Sequence, residues 1–216
     1  SPFVFLHDEA PLLQADPREV QQIEEVALLE LLADSSLTIK DIDITKAPSS
    51  KIDQVDFENL TFGNIFTDHM LVCDYMDGVW QKPSIEPYAP FTIDPSAKVF
   101  HYGQAIFEGM KAYKDESDDV WLFRPDENYM RFNKSATRMA MPEVPEDVFL
   151  GGLKKLLEIE KEWVKKGKGN TLYIRPFMIA TGSGVIAAPA KFYRFMIILS
   201  PAKAYYSGEV KVLIAE

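Results

Sequence analysis

The sequence predicts a protein of the α+β class, in which antiparallel strands and helices follow one another along the chain. Between residues 70 and 94, short apolar runs alternate with turn signals such as Asp77-Gly78, as expected for the strands of an antiparallel meander. Two amphipathic segments, which begin at Pro125 and near Glu146, predict helices. Segments rich in Ile, Leu, Tyr and Phe predict three further strands, at residues 171–181, 192–200 and 209–215.

The first predicted element is an amphipathic helix over residues 17–33. Its apolar residues recur at spacings of three and four behind Asp16, which is a favourable N-cap residue. The stretch over residues 45–53 is polar and rich in Pro and Ser, which is typical of a linker or an irregular arm. We therefore place a boundary near residue 42 and expect residues 1–42 to be a helical extension of unknown origin.

The two later helices have start and stop signals of their own. Pro125 suits the first position of a helix, and Asp126 and Glu127 are favourable near its positive end, so this helix is expected to run to about Met139. The second helix is expected to span about residues 146–166, because its apolar residues form one stripe and glycines follow it.

Composition and charge exclude several classes of protein. The chain has 23 Lys and Arg against 33 Asp and Glu, a net charge of -10, so its surface repels a phosphate backbone and nucleic acid is not an expected partner. No apolar run approaches the roughly 18 residues of a membrane helix, and the run at residues 3–6 is too short for a secretion signal. The single cysteine, Cys73, cannot form an internal disulfide, which favours a cytoplasmic protein.

Motifs for common cofactors and metals are absent from the sequence. It contains no dinucleotide, nucleoside-triphosphate, zinc-protease or serine-hydrolase motif. The histidines, His7, His69 and His101, are too scattered to predict a metal cluster, so each is interpreted as structural or solvated and no metal site is assigned. The segment Val99–Tyr113 alternates aromatic, small and polar residues without a simple period. Such a segment is typical either of a binding site or of core aromatic residues.

Several positively charged residues are candidates for binding anions. Tyr173 and Arg175 are two residues apart in a predicted strand, so they project from one face, where the arginine can bind a carboxylate and the tyrosine can add a hydrogen bond. The alternative is a solvent-facing arginine. Arg124 directly precedes the helix that begins at Pro125, a position that suits a phosphate. A solvated or buttressing stripe is expected for three residues of that helix, Arg131, Ser135 and Arg138.

Four collinear segments carry a resemblance to a known family. They are FTDHM at residues 66–70, HYGQAIFEGMKAY at 101–113, LFRPDENYMRFNKSATRMAMP at 122–142 and LYIRP at 172–176. With these segments, residues 44–216 resemble a branched-chain amino acid aminotransferase. The resemblance implies the small domain of the pyridoxal-phosphate enzymes of fold type IV, a homodimer, and reversible amino transfer between Leu, Ile or Val and 2-oxoglutarate.

The resemblance also implies roles for individual residues. Arg124 matches the arginine that binds the phosphate of pyridoxal 5'-phosphate, in agreement with its position before the helix. Tyr173 and Arg175 match residues that approach the substrate side chain and the 2-oxoglutarate carboxylate, and Tyr205 matches a tyrosine of the interdomain loop that gates the site. Aromatic residues around the branched side chain and the cofactor are matched by Phe62, Tyr102 and Phe107.

The implied division of the chain has three parts: residues 1–42 as the extension, 43–203 as the small domain, and 204–216 as the interdomain loop and first strand of the large domain. The family's catalytic lysine, which forms a Schiff base with the cofactor, is expected beyond Glu216, and Lys111 is not its counterpart. We therefore assign no catalytic residue within the chain and expect the chain alone to be inactive.

Two alternatives to this function remain. The first is a D-amino-acid aminotransferase or an aminodeoxychorismate lyase of the same fold. The second is a non-catalytic interaction module, in which the predicted helix over residues 17–33 docks a partner.

Overall fold

The computed structural model describes residue 39 and residues 41–203, which form an α+β fold, as predicted. The strands of this part are β1 (Asp43–Ile44), β2 (His69–Met76), β3 (Val79–Trp80), β4 (Ser84–Pro87), β5 (Ala105–Phe107), β6 (Met110–Lys114), β7 (Val120–Leu122), β8 (Thr171–Ala180) and β9 (Phe192–Ala202). The helices are α1 (Lys98–Tyr102), α2 (Pro125–Arg138) and α3 (Gly152–Ile159), with 3-10 turns at Ile52–Gln54 and Lys161–Trp163 and a π-helical turn at Asp147–Gly151. Outside the described residues lie the predicted helix over residues 17–33, the predicted strand over residues 209–215, His7 and Tyr205.

The described strands form one sheet in the order β1-β4-β2-β9-β8-β6-β7, with β3 pairing with β2 and β5 pairing with β8. The pairings are antiparallel except that of β1 with β4. The antiparallel strands predicted between residues 70 and 94 are confirmed, but their order differs from a meander, since β3 and β4 both pair with β2 in the described sheet. The long strands β8 and β9 pair from Thr171↔Ala202 to Ala180↔Tyr193, and they confirm the strands predicted at residues 171–181 and 192–200.

Alternation along β8 divides the sheet into a helix-covered face and an open face. Leu172 and Ile174 are fully buried, whereas Tyr173 and Arg175 are half-buried. Successive residues of a strand point to opposite faces. The buried residues belong to one hydrophobic cluster with Phe132 of α2, so the half-buried residues face the other side, which we call the open face.

α2 confirms the helix predicted from Pro125. The proline and two acidic residues occupy the first turn, and the helix ends after Arg138 at the cap residue Met139. Phe132 and Ala136 are fully buried, which places α2 on the helix-covered face of the sheet.

The helix predicted over residues 146–166 is shorter than expected. It begins with the π-helical turn, continues as α3 and ends at Ile159. The next residue, Glu160, turns inward, is only 2% exposed and contacts His69 of β2. Trp163 is buried as well. These contacts with the start of β2 redirect the chain, so the helix stops well before the glycines that were expected to end it.

Residues 41–66 are largely irregular, as predicted for residues 45–53, and contain only β1 and one 3-10 turn. Lys82 pairs with Asp41 and Asp43 at 2.7 and 2.6 Å next to the β1–β4 pairing. The division at residue 42 stays a prediction. None of the helices in the described part of the chain is long and apolar enough to cross a membrane.

Candidate functional site

The open face of the sheet brings four of the predicted site residues together around β8. Tyr173 and Arg175 project from β8 on the same face, as their spacing predicted. The ring of Phe62 meets that of Tyr173 edge-on, with 5.0 Å between the centroids. The Arg175 guanidinium lies 4.5 Å from the ring centroid of Phe107. We call Phe62, Phe107, Tyr173 and Arg175 the β8 cluster.

Within the β8 cluster, the phenol of Tyr173 orients the guanidinium of Arg175. Arg175 Nη2 donates to the Tyr173 hydroxyl at 2.6 Å, and Nε donates to the same oxygen at 3.3 Å. The contact with Phe107 adds a cation–π interaction, which arginine makes readily. Among the described residues, no carboxylate pairs with Arg175. Its remaining N–H groups can therefore donate to an anion such as a carboxylate.

The Tyr173 hydroxyl lies close to the main chain between β5 and β6, and this close approach depends on Gly109. A Cβ at this position would lie 2.4 Å from the Tyr173 hydroxyl oxygen and 3.2 Å from its Cζ. Any residue other than glycine would displace the phenol. Gly109 lies between β5 and β6, both of which pair with β8. The geometry of the β8 cluster therefore depends on the main chain beneath it as well as on its own side chains.

Arg124 occupies the N-cap position of α2 with left-handed backbone angles (φ 46°, ψ 54°). Its Nη2 donates to Glu127 Oε1 at 2.5 Å, and about half of its side chain is exposed. Asp126 also lies in the first turn, so two carboxylates stand at the helix end where a phosphate was expected. In the described part of the chain, no hydrogen bond or ion pair joins Arg124 to the β8 cluster. Its role as a phosphate-binding residue stays a prediction.

Tyr102 lies at the end of α1 and anchors the loop between β8 and β9. Its hydroxyl donates to the carbonyl oxygen of Val185. From the same helix, Lys98 Nζ donates to the carbonyl oxygens of Ile186 and Ala188 at 2.7 and 2.5 Å. Within the residues described, no hydrogen bond or ring contact joins Tyr102 to the β8 cluster. The structure therefore places Tyr102 and Lys98 as anchors of this loop.

Lys98→Met is expected to loosen the loop between β8 and β9 while leaving the sheet intact. Methionine retains the apolar stem but removes two hydrogen bonds from a charged donor, each worth about 1.5–3 kcal/mol. The loop amides should exchange with deuterium about tenfold faster or more, as measured by mass spectrometry. Lys134→Met, on the exposed side of α2, is the matched control. Unchanged exchange in the loop of Lys98→Met would contradict the anchoring role.

A second group of polar side chains lies at the start of β2. His69 Nδ1 contacts Glu160 Oε1, and His69 Nε2 accepts a hydrogen bond from the Ala47 N–H at 2.8 Å. Asp68 accepts a hydrogen bond from Trp163 Nε1 at 3.0 Å. These contacts tie the N-terminal arm and the segment after α3 to the sheet, and they confirm His69 as a structural histidine.

The other histidine and the cysteine also have structural settings. His101 is exposed, and its Nε2 donates to the carbonyl oxygen of Pro95 at 3.0 Å. Burial, and then the negative charges of Asp74 and Asp147, raise the pKa of the Cys73 thiol to about 12, so this thiol stays protonated and unreactive at neutral pH. No group of three or more His, Cys, Asp or Glu within the described residues could hold a metal ion.

Glu108 has a role that the sequence pattern did not assign. It is only 7% exposed and forms an ion pair with Arg131 of α2. Arg131 belongs to the helix stripe that was expected to be either solvated or buttressing, and at this residue the stripe supports the sheet. Ser135, from the same stripe, donates its hydroxyl to the Arg131 carbonyl oxygen at 3.0 Å. The sequence did offer one indication of the burial of Glu108. This residue lies two residues from both Ile106 and Met110, so alternation along a strand places all three side chains on the same, covered face.

Two curated proteins that resemble the chain are named as branched-chain amino acid transaminases or aminotransferases. Over 155 residues the chain is 52% identical to branched-chain-amino-acid transaminase 1 of Bacillus subtilis (strain 168), a match that covers 71% of this chain and 44% of the relative. Over 164 residues it is 47% identical to branched-chain-amino-acid aminotransferase 2 of the same organism, covering 76% of this chain and 45% of the relative. No family model matches the chain.

Solved structures with the same name resemble the chain at lower identity. The branched-chain amino acid aminotransferase of Escherichia coli is 20% identical, with a TM-score of 0.47, and the match covers 62% of this chain and 40% of that chain. The branched-chain aminotransferase of Thermoproteus uzoniensis, solved with norvaline, is 19% identical, with a TM-score of 0.44, and the match covers 62% of this chain and 41% of that chain.

The sequence relatives decide the assignment. The chain spans less than half the length of the curated relatives it matches. About half of the aligned residues are identical to proteins named as branched-chain amino acid aminotransferases, which are transferases. The resemblance that the motifs indicated is therefore confirmed, and the described residues have the predicted α+β class. The chain belongs to the branched-chain amino acid aminotransferase family.

Proposed function

We propose that the protein to which this chain belongs transfers the amino group between Leu, Ile or Val and 2-oxoglutarate, with pyridoxal 5'-phosphate as its cofactor. The observation that carries the proposal is the guanidinium of Arg175. It is oriented by Tyr173, lies against Phe107 and has no carboxylate partner among the described residues. An anion-binding group in aromatic surroundings suits substrates that combine a carboxylate with an apolar side chain.

Each residue of the β8 cluster has a proposed part in binding. Arg175 takes the 2-oxoglutarate carboxylate with a bidentate pair of hydrogen bonds, and Tyr173 orients the guanidinium. Phe62 and Phe107 are 40% and 67% exposed, so they offer apolar surface to a branched side chain. Two further tyrosines are proposed to complete the aromatic surroundings, Tyr102 and Tyr205.

The cofactor is proposed to be held in part by Arg124. The guanidinium fits a phosphate in charge and in accessibility, since it is half exposed beside the N-terminus of α2. A phosphate carries more charge than the Glu127 carboxylate and would replace it as the partner of Arg124. When bound, pyridoxal 5'-phosphate supplies the electron sink for chemistry at the substrate Cα. We place the lysine that binds the cofactor beyond Glu216, so the chain alone is proposed to be inactive.

The family relationship also supports proposals about the context of the chain. Residues 43–203 are proposed as the small domain and residues 204–216 as the interdomain loop with the first strand of the large domain, while residues 1–42 are an extension of unknown origin. We propose a cytoplasmic homodimer. The net charge of -10 argues against a nucleic-acid partner.

The test is a transamination assay with the complete protein. With Leu, Ile or Val as donor and 2-oxoglutarate as acceptor, we expect formation of glutamate that depends on pyridoxal 5'-phosphate. Arg175→Gln should raise KM for 2-oxoglutarate at least about tenfold, because charge-assisted hydrogen bonds to the carboxylate are lost. Arg138→Gln, on the exposed end of α2, is the matched control and should leave KM unchanged.

Other results of this assay would assign a different function. Turnover of D-Ala or of aminodeoxychorismate in place of Leu would identify one of the two related enzymes. A complete protein without turnover on any of these donors would favour a non-catalytic module, and deletion of residues 1–42 should then abolish partner binding. Full turnover after replacement of the cofactor-binding lysine by Ala would contradict the proposed chemistry.

A further inference from the structure

The ladder of the sheet is interrupted at Glu108 and Gly109, next to the β8 cluster. β5 ends at Phe107 and β6 begins at Met110, and both pair with β8 in the same register. Continuation of this register places Glu108 opposite Pro176. The Glu108 N–H donates to the Pro176 carbonyl oxygen at 2.9 Å, but proline has no N–H that could return the second hydrogen bond of the pair. The main chain at Glu108 is therefore held to β8 by one hydrogen bond in place of the usual two.

The side chain of Glu108 supplies a second constraint from the helix-covered face. Arg131 Nε and Nη2 donate to Oε1 and Oε2 at 2.5 and 2.8 Å, and Asn128 Nδ2 donates to Oε2 at 2.9 Å. The Gly109 N–H also donates to Oε2, at 3.2 Å. Burial opposes ionisation of Glu108, but these hydrogen bonds outweigh burial and hold its pKa below the usual value. The buried carboxylate thus ties the interrupted ladder to two residues of α2.

Gly109 connects this contact to the open face. The Tyr173 hydroxyl lies so close to Gly109 that a Cβ there would be 2.4 Å from it, and the same hydroxyl accepts the hydrogen bond that orients Arg175. A displacement of the main chain at Gly109 therefore moves the surface on which the phenol rests. The orientation of the guanidinium follows the phenol.

We infer that Glu108 is a positioning residue for the β8 cluster. Clamped to α2 by Arg131 and Asn128, it holds Gly109 in the place that lets Tyr173 orient Arg175 toward an anion. The Glu108 side chain points to the opposite face of the sheet, and its hydrogen bonds go to α2 and to the Gly109 N–H and to no side chain of the β8 cluster. The inference rests on the proposed function, because the anion is the substrate carboxylate.

The first test measures kinetics of the complete protein with Glu108→Gln. Glutamine keeps the shape of glutamate, but its NH2 group cannot accept the hydrogen bonds that Arg131 and Asn128 donate to the carboxylate. KM for 2-oxoglutarate should rise about tenfold with less than about a threefold change in kcat, because the binding group is misplaced. Arg131→Met should also raise KM, because it removes two of the hydrogen bonds that hold the Glu108 carboxylate. The effect of the double variant should be smaller than the sum of the two single effects, because the two residues share this ion pair. Glu116→Gln, in the exposed turn between β6 and β7, is the control.

The second test observes Tyr173 without turnover. Fluorine NMR of the complete protein labelled with 3-fluorotyrosine, with the signal assigned by Tyr173→Phe, should show a shifted or broadened Tyr173 signal in Glu108→Gln and Arg131→Met. Glu116→Gln should leave the signal unchanged.

The two measurements together decide the inference. Unchanged KM with an unshifted Tyr173 signal overturns it. Loss of kcat in proportion to the folded fraction, with KM and the Tyr173 signal unchanged, gives Glu108 a merely structural role and overturns it as well. A complete wild-type protein without transaminase activity removes the proposed function, whereas the fluorine signal still tests the clamp at Glu108.

Discussion

Replacement of His69 with Phe is expected to lower the free energy of unfolding by about 3–5 kcal/mol. His69 is 8% exposed, and its Nδ1 contacts Glu160, which is 2% exposed. The phenyl ring fills the space of the imidazole, but Glu160 then loses this buried partner and the Ala47 N–H loses its acceptor. Removal of one partner of a buried pair is costly because the other charge stays buried without compensation. Denaturant unfolding followed by circular dichroism measures the change.

Two further variants make this measurement specific. His101→Phe is the matched control, because His101 is exposed, and its effect should stay within about 0.5 kcal/mol. The double variant His69→Phe/Glu160→Leu should recover a large part of the loss, because it leaves no buried charge. A loss of less than about 1 kcal/mol for His69→Phe would contradict the role given to this contact.

The pH dependence of this loss has a defined sign. Burial raises the pKa of Glu160, and the contact with His69 opposes that rise. A carboxyl group whose pKa is higher in the folded than in the unfolded state, where it is about 4.3, lowers stability when ionised. This penalty disappears as the pH falls through the folded-state pKa. The difference in unfolding free energy between the single and the double variant should therefore narrow as the pH is lowered from about 7 toward 5, and a widening would contradict this account.

Phe149→Ala is the second change with a large expected effect, a loss of about 3–5 kcal/mol in the free energy of unfolding. Phe149 is 0% exposed. Its ring stacks on Phe195 of β9 with 5.5 Å between the centroids and meets Phe132 of α2 at 5.4 Å. Truncation leaves a cavity between the π-helical turn, α2 and the sheet. Such packed elements relax only partly into a cavity, so most of the lost contact energy is not recovered.

The control for this cavity is another phenylalanine. Phe100→Ala, at a residue that is 61% exposed, should change the unfolding free energy by no more than about 0.5 kcal/mol. Phe149→Leu fills much of the space and should cost less than Phe149→Ala. Equal effects of Phe149→Ala and Phe100→Ala in urea unfolding would show that the aromatic cluster is not the centre of the core.

Local signals were sufficient for several elements. Pro125 and the acidic residues after it marked the start of α2, because the free N–H groups of a first helical turn favour them wherever the helix packs. The alternation along β8 predicted that Tyr173 and Arg175 share a face, because this periodicity is a property of the strand itself. The family motifs, through the resemblance, added Phe62 and Phe107 to the same site.

Other features depended on contacts between distant parts of the chain. The helix predicted to reach residue 166 ends at Ile159 because Glu160 is drawn to His69 on β2. Tyr102 and Arg124, which the resemblance grouped with the β8 cluster, contact other partners in the described residues. Neither the end of this helix nor the partners of these two residues can be predicted from nearby sequence, because each depends on which segment of the chain lies beside the residue in space.

The sequence by itself determined the fold class, the family and the pairing of Tyr173 with Arg175, because these follow from periodicity and from motifs within short segments. Only the tertiary structure decided the order of strands, which places β9 between β2 and β8, and the burial of Glu108 against Arg131. The sequence by itself could not establish the burial of Glu108, because a carboxylate loses its hydration when it is buried. A buried carboxylate is stable only where donors from another element meet it, and that meeting exists only after the chain has folded.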